Sequence, residues 1–264
     1  MAIKPAWNAK RGMAIMLNNY TIERLHDMKL GVMASSFKKQ LSDRDIAGLS
    51  FEERFGLLVD SEWIARKNNR LNLLIRKADY VFPDAALEDI EYHSDRQLDK
   101  ALITRLGTCN YIDERHNVII LGATGTGKTY ISNALGMTAS RNFYTVKYIR
   151  LPDLLGELAI ARAEGNYRKV IKQYRQIKLL ILDEWLLYPL KEAEARDLLE
   201  IAECRHKKAS TIFCSQFEIN GWHKKIGDTT LADAICDRIV HDSYTITVKG
   251  KDSMRKRKGI ANEK

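Results

Sequence analysis

The pattern of apolar positions changes along the chain at about residue 117. Over residues 18–78, apolar side chains recur at steps of three to four, as they do along amphipathic helices. Ser50 and Glu53 have the spacing of a capping box, which predicts that one of these helices begins there. Beyond residue 117, short β-rich runs alternate with longer helical stretches. The pattern therefore predicts a small helical domain followed by an α/β domain.

Strands and helices alternate in the second half of the chain. The runs predicted as strands are residues 117–121, 145–149, 179–183, 210–215 and 244–248, and the stretches predicted as helices are 128–142, 153–175, 190–207 and 230–241. Such alternation is typical of a mostly parallel sheet that is covered on both faces. Residues 79–97 contain Pro83, several acids and little periodicity, so they are predicted as a linker. The predicted parts are a helical domain (1–78), this linker, an α/β core (98–248) and a tail (249–264).

A glycine-rich turn lies between the first predicted strand and the helix that follows it. Its sequence, GATGTGKT, matches the pattern G-x-x-x-x-G-K-[ST] in the strand–helix context that the pattern requires. Glycines let several backbone N–H groups point into one concavity, and the helix N-terminus adds a positive dipole end. The turn therefore predicts a site for a nucleotide triphosphate with Mg²⁺. Its residues are Gly122, Ala123, Thr124, Gly125, Thr126, Gly127, Lys128, which would reach the phosphates, and Thr129, whose hydroxyl would bind Mg²⁺.

Two acids end the third predicted strand. Asp183 and Glu184 follow the apolar run LLIL, at the strand end where parallel sheets bind ligands. Asp183 is predicted to support Mg²⁺, and Glu184 to polarise the attacking water as a general base. One strand candidate, 145–149, lies between the glycine-rich turn and these acids. Among P-loop nucleotide-binding proteins, this order favours the ATPase branch over most GTPases and small-molecule kinases. ATP is therefore the expected nucleotide.

Charge is unevenly distributed along the chain, whose net charge is +9. Residues 1–78 carry net +6, residues 79–248 net −2 and residues 249–264 net +5. Basic ends around a nearly neutral middle favour a polyanionic partner, most often nucleic acid. An anionic membrane surface, or a basic solvated surface without a partner, are the alternatives. The four cysteines show no CxxC spacing and fit reduced thiols, and we find no secretory signal and no apolar run of membrane-spanning length. A cytoplasmic protein without a membrane anchor is expected.

Three stretches of the sequence together resemble a known family. They are VIILGATGTGKTYISNALG, LLILDEWLLYPL and the C-terminal stretch that contains DRIVH and KGKDSMRK. Over roughly residues 20–258 the chain resembles the IstB-like insertion-sequence ATP-binding proteins, which are AAA+ helpers of the IstA-type transposase and are related to DnaC-type helicase loaders. The resemblance implies an α/β AAA+ core with a parallel sheet in the order 5-1-4-3-2, flanked by helices, and a small N-terminal helical domain.

The resemblance also implies an activity, partners and further site residues. It implies an ATP-dependent homo-oligomer on double-stranded DNA, with ATP between subunits, that selects target DNA for the transposase. Arg238 matches the arginine finger of the family, and Arg255 matches the sensor-2 arginine. Gln216 stands where this clade often has Asn, and would orient a water or the γ-phosphate. Leu186 stands where the family often has Gly, which we expect to alter the turn after the acids and not the chemistry.

DNA contacts are predicted with little sequence preference, because no base-reading motif is visible. The candidate side chains are all basic and lie in two stretches: Arg162, Arg168, Lys169 and Lys172 in the core, and Arg66, Lys67 and Arg70 in the helical domain. Solvated helix faces are the alternative for these residues.

Three other functions stay open at this point. A replicative helicase loader has the same core but would act on single-stranded DNA with a hexameric helicase. A small-molecule P-loop kinase would have incidental basic ends. A passive DNA-binding module is disfavoured, because Lys128, Thr129, Asp183 and Glu184 are all present.

Overall fold

A computed structural model describes residues 5–43, 45–250 and 254, with side chains from residue 16 onward except that of residue 47. The chain divides into two compact units, Met1–Asn72 and Leu73–Lys264. No helix in the part of the chain that the structure describes is long and apolar enough to cross a membrane.

The first unit is helical, as the apolar spacing predicted. It contains α1 (Pro5–Asp27), α2 (Gly31–Ser42) and the larger part of α3 (Phe51–Ala78). The predicted capping box at the start of α3 is confirmed: Glu53 N donates to Ser50 Oγ at 3.2 Å, and Ser50 N donates to the Glu53 carboxylate at 2.8 Å. The buried Glu62 carboxylate of α3 accepts hydrogen bonds from the first turn of α2, where its negative charge meets the positive end of the helix dipole.

The second unit is built on a parallel sheet of five strands. The strands are β1 (Asn117–Gly122), β2 (Val146–Arg150), β3 (Leu179–Trp185), β4 (Ser210–Ser215) and β5 (Ser243–Val248). Their order is β2-β3-β4-β1-β5, and every neighbouring pair is parallel. The predicted strands and the predicted order are therefore confirmed.

Helices of the second unit cover both faces of the sheet. They are α4 (Lys100–Gly107), α5 (Asn110–Asp113), α6 (Lys128–Arg141), α7 (Leu151–Ala163), α8 (Tyr167–Gln176), α9 (Glu192–Arg205), α10 (Trp222–Ile226) and α11 (Thr229–Val240). Alternate residues of β1 enter different cores: Ile120 packs with α6, whereas Ile119 packs with α7, α9 and α11. Burial on both faces explains why the strands are continuous apolar runs.

Two stretches of the second unit differ from the sequence predictions. The predicted helix 153–175 is two helices, α7 and α8, because the chain turns at Gly165 with φ 74°. Residues 79–97, predicted as a linker, pack on the sheet domain: Ala85 and Ile90 are buried in its core, and Tyr80 OH bonds with Ser140 Oγ at 2.8 Å. The segment has acids and little periodicity because it is an irregular covering layer rather than a helix.

Candidate functional site

The glycine-rich turn follows β1 at the carboxyl end of the sheet and opens α6 at Lys128. Gly125 and Gly127 have φ values of 81° and 96°, in the left-handed region that glycine adopts without strain. A Cβ at Gly122 would lie 2.4 Å from the Val248 backbone oxygen, so no larger residue fits between the turn and β5. The backbone of this turn therefore depends on its glycines.

Lys128 is the first residue of α6, and its side chain folds back over the turn. Its Nζ donates to the carbonyl oxygens of Gly122 and Ala123 at 2.8 and 2.9 Å, and the residue is buried. Burial lowers the pKa of Lys128, while the thiol of Cys214 and the carboxylate of Asp183 act in the opposite direction. An anion bound in the turn would stabilise the charged ammonium group of Lys128, which burial destabilises.

The turn and the acids are joined by a direct hydrogen bond. Thr129 Oγ1 donates to Asp183 Oδ2 at 2.7 Å, and the buried Asp183 also accepts from Tyr148 OH at 2.9 Å. Burial, followed by the charge of Asp183, raises the pKa of Tyr148, which keeps its hydroxyl proton available as a donor. The hydroxyl and carboxylate oxygens are both ligands that Mg²⁺ prefers, so these residues fit the predicted metal.

The two acids form a bulge in β3. Leu182 pairs with Phe213 and Trp185 with Ser215, so Asp183 and Glu184 together oppose one residue of β4. Glu184 has φ 54°, and its N–H donates to Asp183 Oδ1 at 2.8 Å. The bulge places Asp183 under the turn and leaves the Glu184 side chain part-exposed beside it.

Leu186, which the resemblance singled out, lies directly after β3 and the two acids. Leu186 has φ 52°, the left-handed conformation in which glycine is favoured, and its side chain is fully buried. Backbone strain at Leu186 is therefore offset by burial of the leucine side chain.

Gln216 contacts the glycine-rich turn. The Thr124 hydroxyl donates to Gln216 Oε1 at 2.8 Å, just beyond the end of β4. The structure thus brings together the loop residues, Asp183, Glu184 and Gln216.

Two residues at the end of β2 contact the acids, although the sequence analysis did not single them out. They are Tyr148, described above, and Arg150, whose Nη1 lies 3.8 Å from Glu184 Oε1. Arg150 also pairs with Asp153 at 2.8 Å. The register explains their position, because Arg150 pairs with Asp183 across neighbouring strands. The sequence did contain a signal. Tyr148 lies near the end of the predicted strand 145–149, Arg150 follows it, and this strand was expected beside the one that carries the acids.

A cavity of about 320 Å³ lies beside the glycine-rich turn. Lys128, Thr129 and Tyr130 line it together with Phe82 and Ile90 from residues 79–97, which we call the covering segment. The sequence predicts residues 79–97 as a linker, so it does not predict that they form a wall of this cavity.

The covering segment also contacts the turn directly. Arg96, near the end of the segment, is buried, and its Nη2 donates to Thr126 O at 2.9 Å. The segment is thus part of the site.

In the part of the chain that the structure describes, neither arginine implied by the resemblance contacts the turn. Arg238 lies on α11, where it bonds to the Glu203 carboxylate of α9 and donates to Ala234 O at 2.7 Å. Arg255 lies outside the described residues. Its neighbour Met254 is described, and Met254 N donates to Gly125 O at 2.8 Å.

The candidate DNA-contacting residues of the core differ in their surroundings. Arg162 bonds to the buried carboxylate of Asp197 and lies 4.0 Å from the centre of the Tyr167 ring. Arg168, Lys169 and Lys172 are exposed on α8, a helix without acidic residues. Arg175, which the sequence analysis did not name, is exposed on the same helix. Arg168, Lys172 and Arg175 follow one another at steps of four and three residues, so they share one side of the helix.

The candidates in the helical unit lie along α3. Arg66 bonds to Glu62 at 2.8 Å and to Lys29 O at 2.7 Å, and Lys67 Nζ lies 4.1 Å from the centre of the Trp63 ring. Arg70 is exposed one turn further on.

Comparison with known families gives a match over most of the chain. Residues 23–261 match the family described as IstB-like ATP binding protein. An insertion sequence ATP-binding protein of Sinorhizobium fredii, y4pL, is 40% identical over 91% of this chain and 98% of its own length. The ATP-binding protein of insertion sequence IS21 from Pseudomonas aeruginosa is 27% identical over 92% of this chain and 89% of its own length.

Solved structures share the fold of the second unit. The DnaC helicase loader has a TM-score of 0.52 at 20% identity, over 63% of this chain and 97% of that chain. AMPPCP-bound DnaA from Aquifex aeolicus has a TM-score of 0.54 at 20% identity, over 67% of this chain and 54% of that one. The α/β unit is thus an AAA+ fold of the kind found in these replication proteins.

Proposed function

The chain belongs to the family of IstB-like ATP-binding proteins, and from this premise we propose that it is a Mg²⁺-dependent ATPase that oligomerises on double-stranded DNA and assists transposition. It would select or deform the target DNA and recruit or activate a transposase of the IstA type. The observation that carries the proposal is the 2.7 Å hydrogen bond between Thr129 and Asp183, which joins the phosphate-binding turn to the acids.

The nucleotide would lie with its triphosphate in the turn. Lys128 Nζ would exchange the carbonyls of Gly122 and Ala123 for β- and γ-phosphate oxygens, a change that gives its buried charge an anionic partner. Thr129 and Asp183 would hold Mg²⁺, which when bound supplies positive charge next to the phosphates. The cavity between Phe82, Ile90 and Tyr130 would take the base.

Hydrolysis would use the part-exposed carboxylate of Glu184. Glu184 accepts the proton of the attacking water, and the 3.8 Å approach of Arg150 restrains its carboxylate. Gln216, held against the turn by Thr124, would orient that water or the γ-phosphate. Arg255 would contact the nucleotide within its own chain.

A neighbouring subunit would complete the reaction through Arg238. A guanidinium stabilises the charge that develops on the γ-phosphoryl group, and such a residue is able to act from a second subunit. In this chain Arg238 bonds to Glu203 of its own chain. Formation of the oligomer would replace that bond with one to nucleotide, so hydrolysis would depend on assembly.

DNA would bind along the exposed face of α8. Arg168, Lys169, Lys172 and Arg175 place four cations on ten residues that contain no acid. Contacts from such side chains to phosphates give affinity without sequence preference and make binding strongly dependent on salt. Arg162 is a weaker candidate, because DNA would have to displace Asp197.

A charge-reversal experiment tests this surface. In Lys169→Glu/Lys172→Glu, Mg·ATP-dependent binding of duplex DNA should fall by at least about 10-fold, and the slope of log affinity against log salt should decrease by about two. The control Lys100→Glu/Lys224→Glu makes the same charge change at exposed positions on α4 and α10 and should bind normally.

Three outcomes would contradict the proposal. Equal losses in both double variants would mean that only net charge matters and that α8 is not the DNA site. Stronger binding of single-stranded than duplex DNA by the wild type would favour a helicase loader, and phosphoryl transfer to a metabolite would favour a kinase.

A further inference from the structure

Arg96 joins three parts of the AAA+ unit at the phosphate-binding turn. Its Nη2 donates to Thr126 O in the turn at 2.9 Å, and its Nη1 donates to Glu91 O in the covering segment. The Arg96 carbonyl oxygen accepts from Lys249 N, just after β5, at 3.0 Å. One side chain and its own backbone thus connect the covering segment, the turn and the end of the sheet.

The bond to Thr126 fixes the direction of a backbone donor. In a trans peptide the C=O of one residue and the N–H of the next point in opposite directions. Because the Thr126 carbonyl is held by Arg96, the N–H of Gly127 is turned away from the guanidinium. A Cβ on Gly127 would lie 3.0 Å from Arg96 Nη2, so glycine at this position allows the guanidinium its close approach.

A second buried arginine shows what is specific to Arg96. Arg205 is also almost fully buried, and its guanidinium bonds to the carbonyl oxygens of Tyr174, Ile177 and Ser210 and to Thr211 Oγ1. Burial lowers the pKa of Arg205 to about 10. Both arginines stabilise backbone that is hidden from water, but only the acceptors of Arg96 include the turn.

We propose that Arg96 is a positioning residue of the nucleotide site, which presets the Gly127 N–H for the triphosphate by holding the Thr126 carbonyl. This inference rests on the proposed binding of ATP in the turn. Because the guanidinium also bonds to Glu91 O, the same side chain links the wall of the cavity to the turn. The turn would therefore be ordered before nucleotide arrives, which lowers the conformational cost of binding.

The experiment compares conservative variants of the two arginines. Arg96→Lys and Arg205→Lys keep the charge, but an ammonium cannot span acceptors as a planar guanidinium does. Mg·ATP affinity is measured by calorimetry well below each variant's unfolding temperature. We expect Arg96→Lys to bind about 10-fold more weakly than wild type, and Arg205→Lys to bind within about 3-fold of wild type, although both unfold at lower temperature.

A second readout follows the turn itself without nucleotide. Amide hydrogen exchange of the turn should become faster in Arg96→Lys and stay at the wild-type rate in Arg205→Lys. Equal affinities of wild type and Arg96→Lys would overturn the role of Arg96 and leave the proposed function intact. The same affinity loss in both variants would show that Arg96 has only a structural role. Absence of Mg·ATP binding by the wild type would overturn the proposed function together with this inference.

Discussion

The glycine-rich turn and the surroundings of Arg238 differ in how far a single chain already arranges their side chains for ATP binding and hydrolysis. At the turn, Lys128, Thr129 and Thr124 already bond to the loop, to Asp183 and to Gln216. At α11, Arg238 bonds instead to Glu203 and Ala234 of its own chain. In a single chain the proposed triphosphate site is therefore assembled, whereas the arginine implied for hydrolysis bonds elsewhere.

The difference separates binding from hydrolysis. The backbone of the turn is already formed, so only side chains such as Lys128 would exchange partners when nucleotide binds. An arginine that pairs within its own chain must first break that pair, and formation of an oligomer provides a reason for it to do so. We therefore expect a single chain to bind ATP but to hydrolyse it slowly until a second chain is present.

The largest expected effect tests this separation directly. Arg238→Ala should lower the turnover of the assembled protein by about 10³-fold, the size of effect expected from an arginine finger, with nucleotide affinity close to that of wild type. Steady-state phosphate release and equilibrium ATP titration measure the two quantities. Arg196→Ala, which removes an exposed arginine that pairs with Glu192 on α9, is the matched control and should hydrolyse normally.

Mixing variants sharpens the comparison further. In a mixture of Arg238→Ala and Glu184→Gln, some interfaces combine an intact Glu184 from one chain with an intact Arg238 from the other. Such a mixture should regain a measurable share of wild-type turnover, although each variant alone turns over at least about 10²-fold more slowly than wild type. A mixture as inactive as its components would mean that Arg238 does not act between subunits.

A smaller loss is expected when the proposed general base alone is removed. Glu184→Gln should reduce turnover by at least about 10²-fold, because an amide cannot accept the proton of water. Binding of Mg·ATP should persist, since Asp183 and Thr129 are unchanged, and the ATP-bound assembly on DNA should live longer. Wild-type turnover in this variant would remove Glu184 from the reaction.

The smallest expected effect concerns stability at the turn after the acids. Leu186→Ala removes a buried side chain and keeps the left-handed backbone penalty, whereas Leu186→Gly removes both. The glycine variant should therefore be more stable than the alanine variant by about 1 kcal/mol, although both are less stable than wild type. Urea denaturation measures this order, and an alanine variant more stable than the glycine variant would contradict it.

Particular residues show how far the sequence determined the site. The glycine-rich turn, Asp183 and Glu184 could be found because a local motif and the preceding apolar strands specify their backbone. The bulge that contains the two acids could not be predicted from the sequence, because it depends on the pairing between β3 and β4. Tyr148 and Arg150 required the strand order as well, because they reach the acids only across neighbouring strands.

The covering segment was missed for a different physical reason. Arg96 is far from the turn in sequence, and a charged residue among acids usually indicates a solvated surface. Its burial is possible because the carbonyl oxygens of Thr126 and Glu91 accept hydrogen bonds from its guanidinium. Backbone acceptors of this kind cannot be recognised from the pattern of side chains. Contacts to backbone carbonyls between distant segments are thus the part of this site that the sequence conceals.

The central claim, that the turn and the acids bind Mg·ATP, is tested most directly by calorimetric titration of the wild type beside Lys128→Ala. We expect saturable heat for the wild type with one site per chain, and an affinity about 100-fold weaker for Lys128→Ala. No heat and no competition by a non-hydrolysable analogue for the wild type, or equal affinity in both proteins, would contradict it.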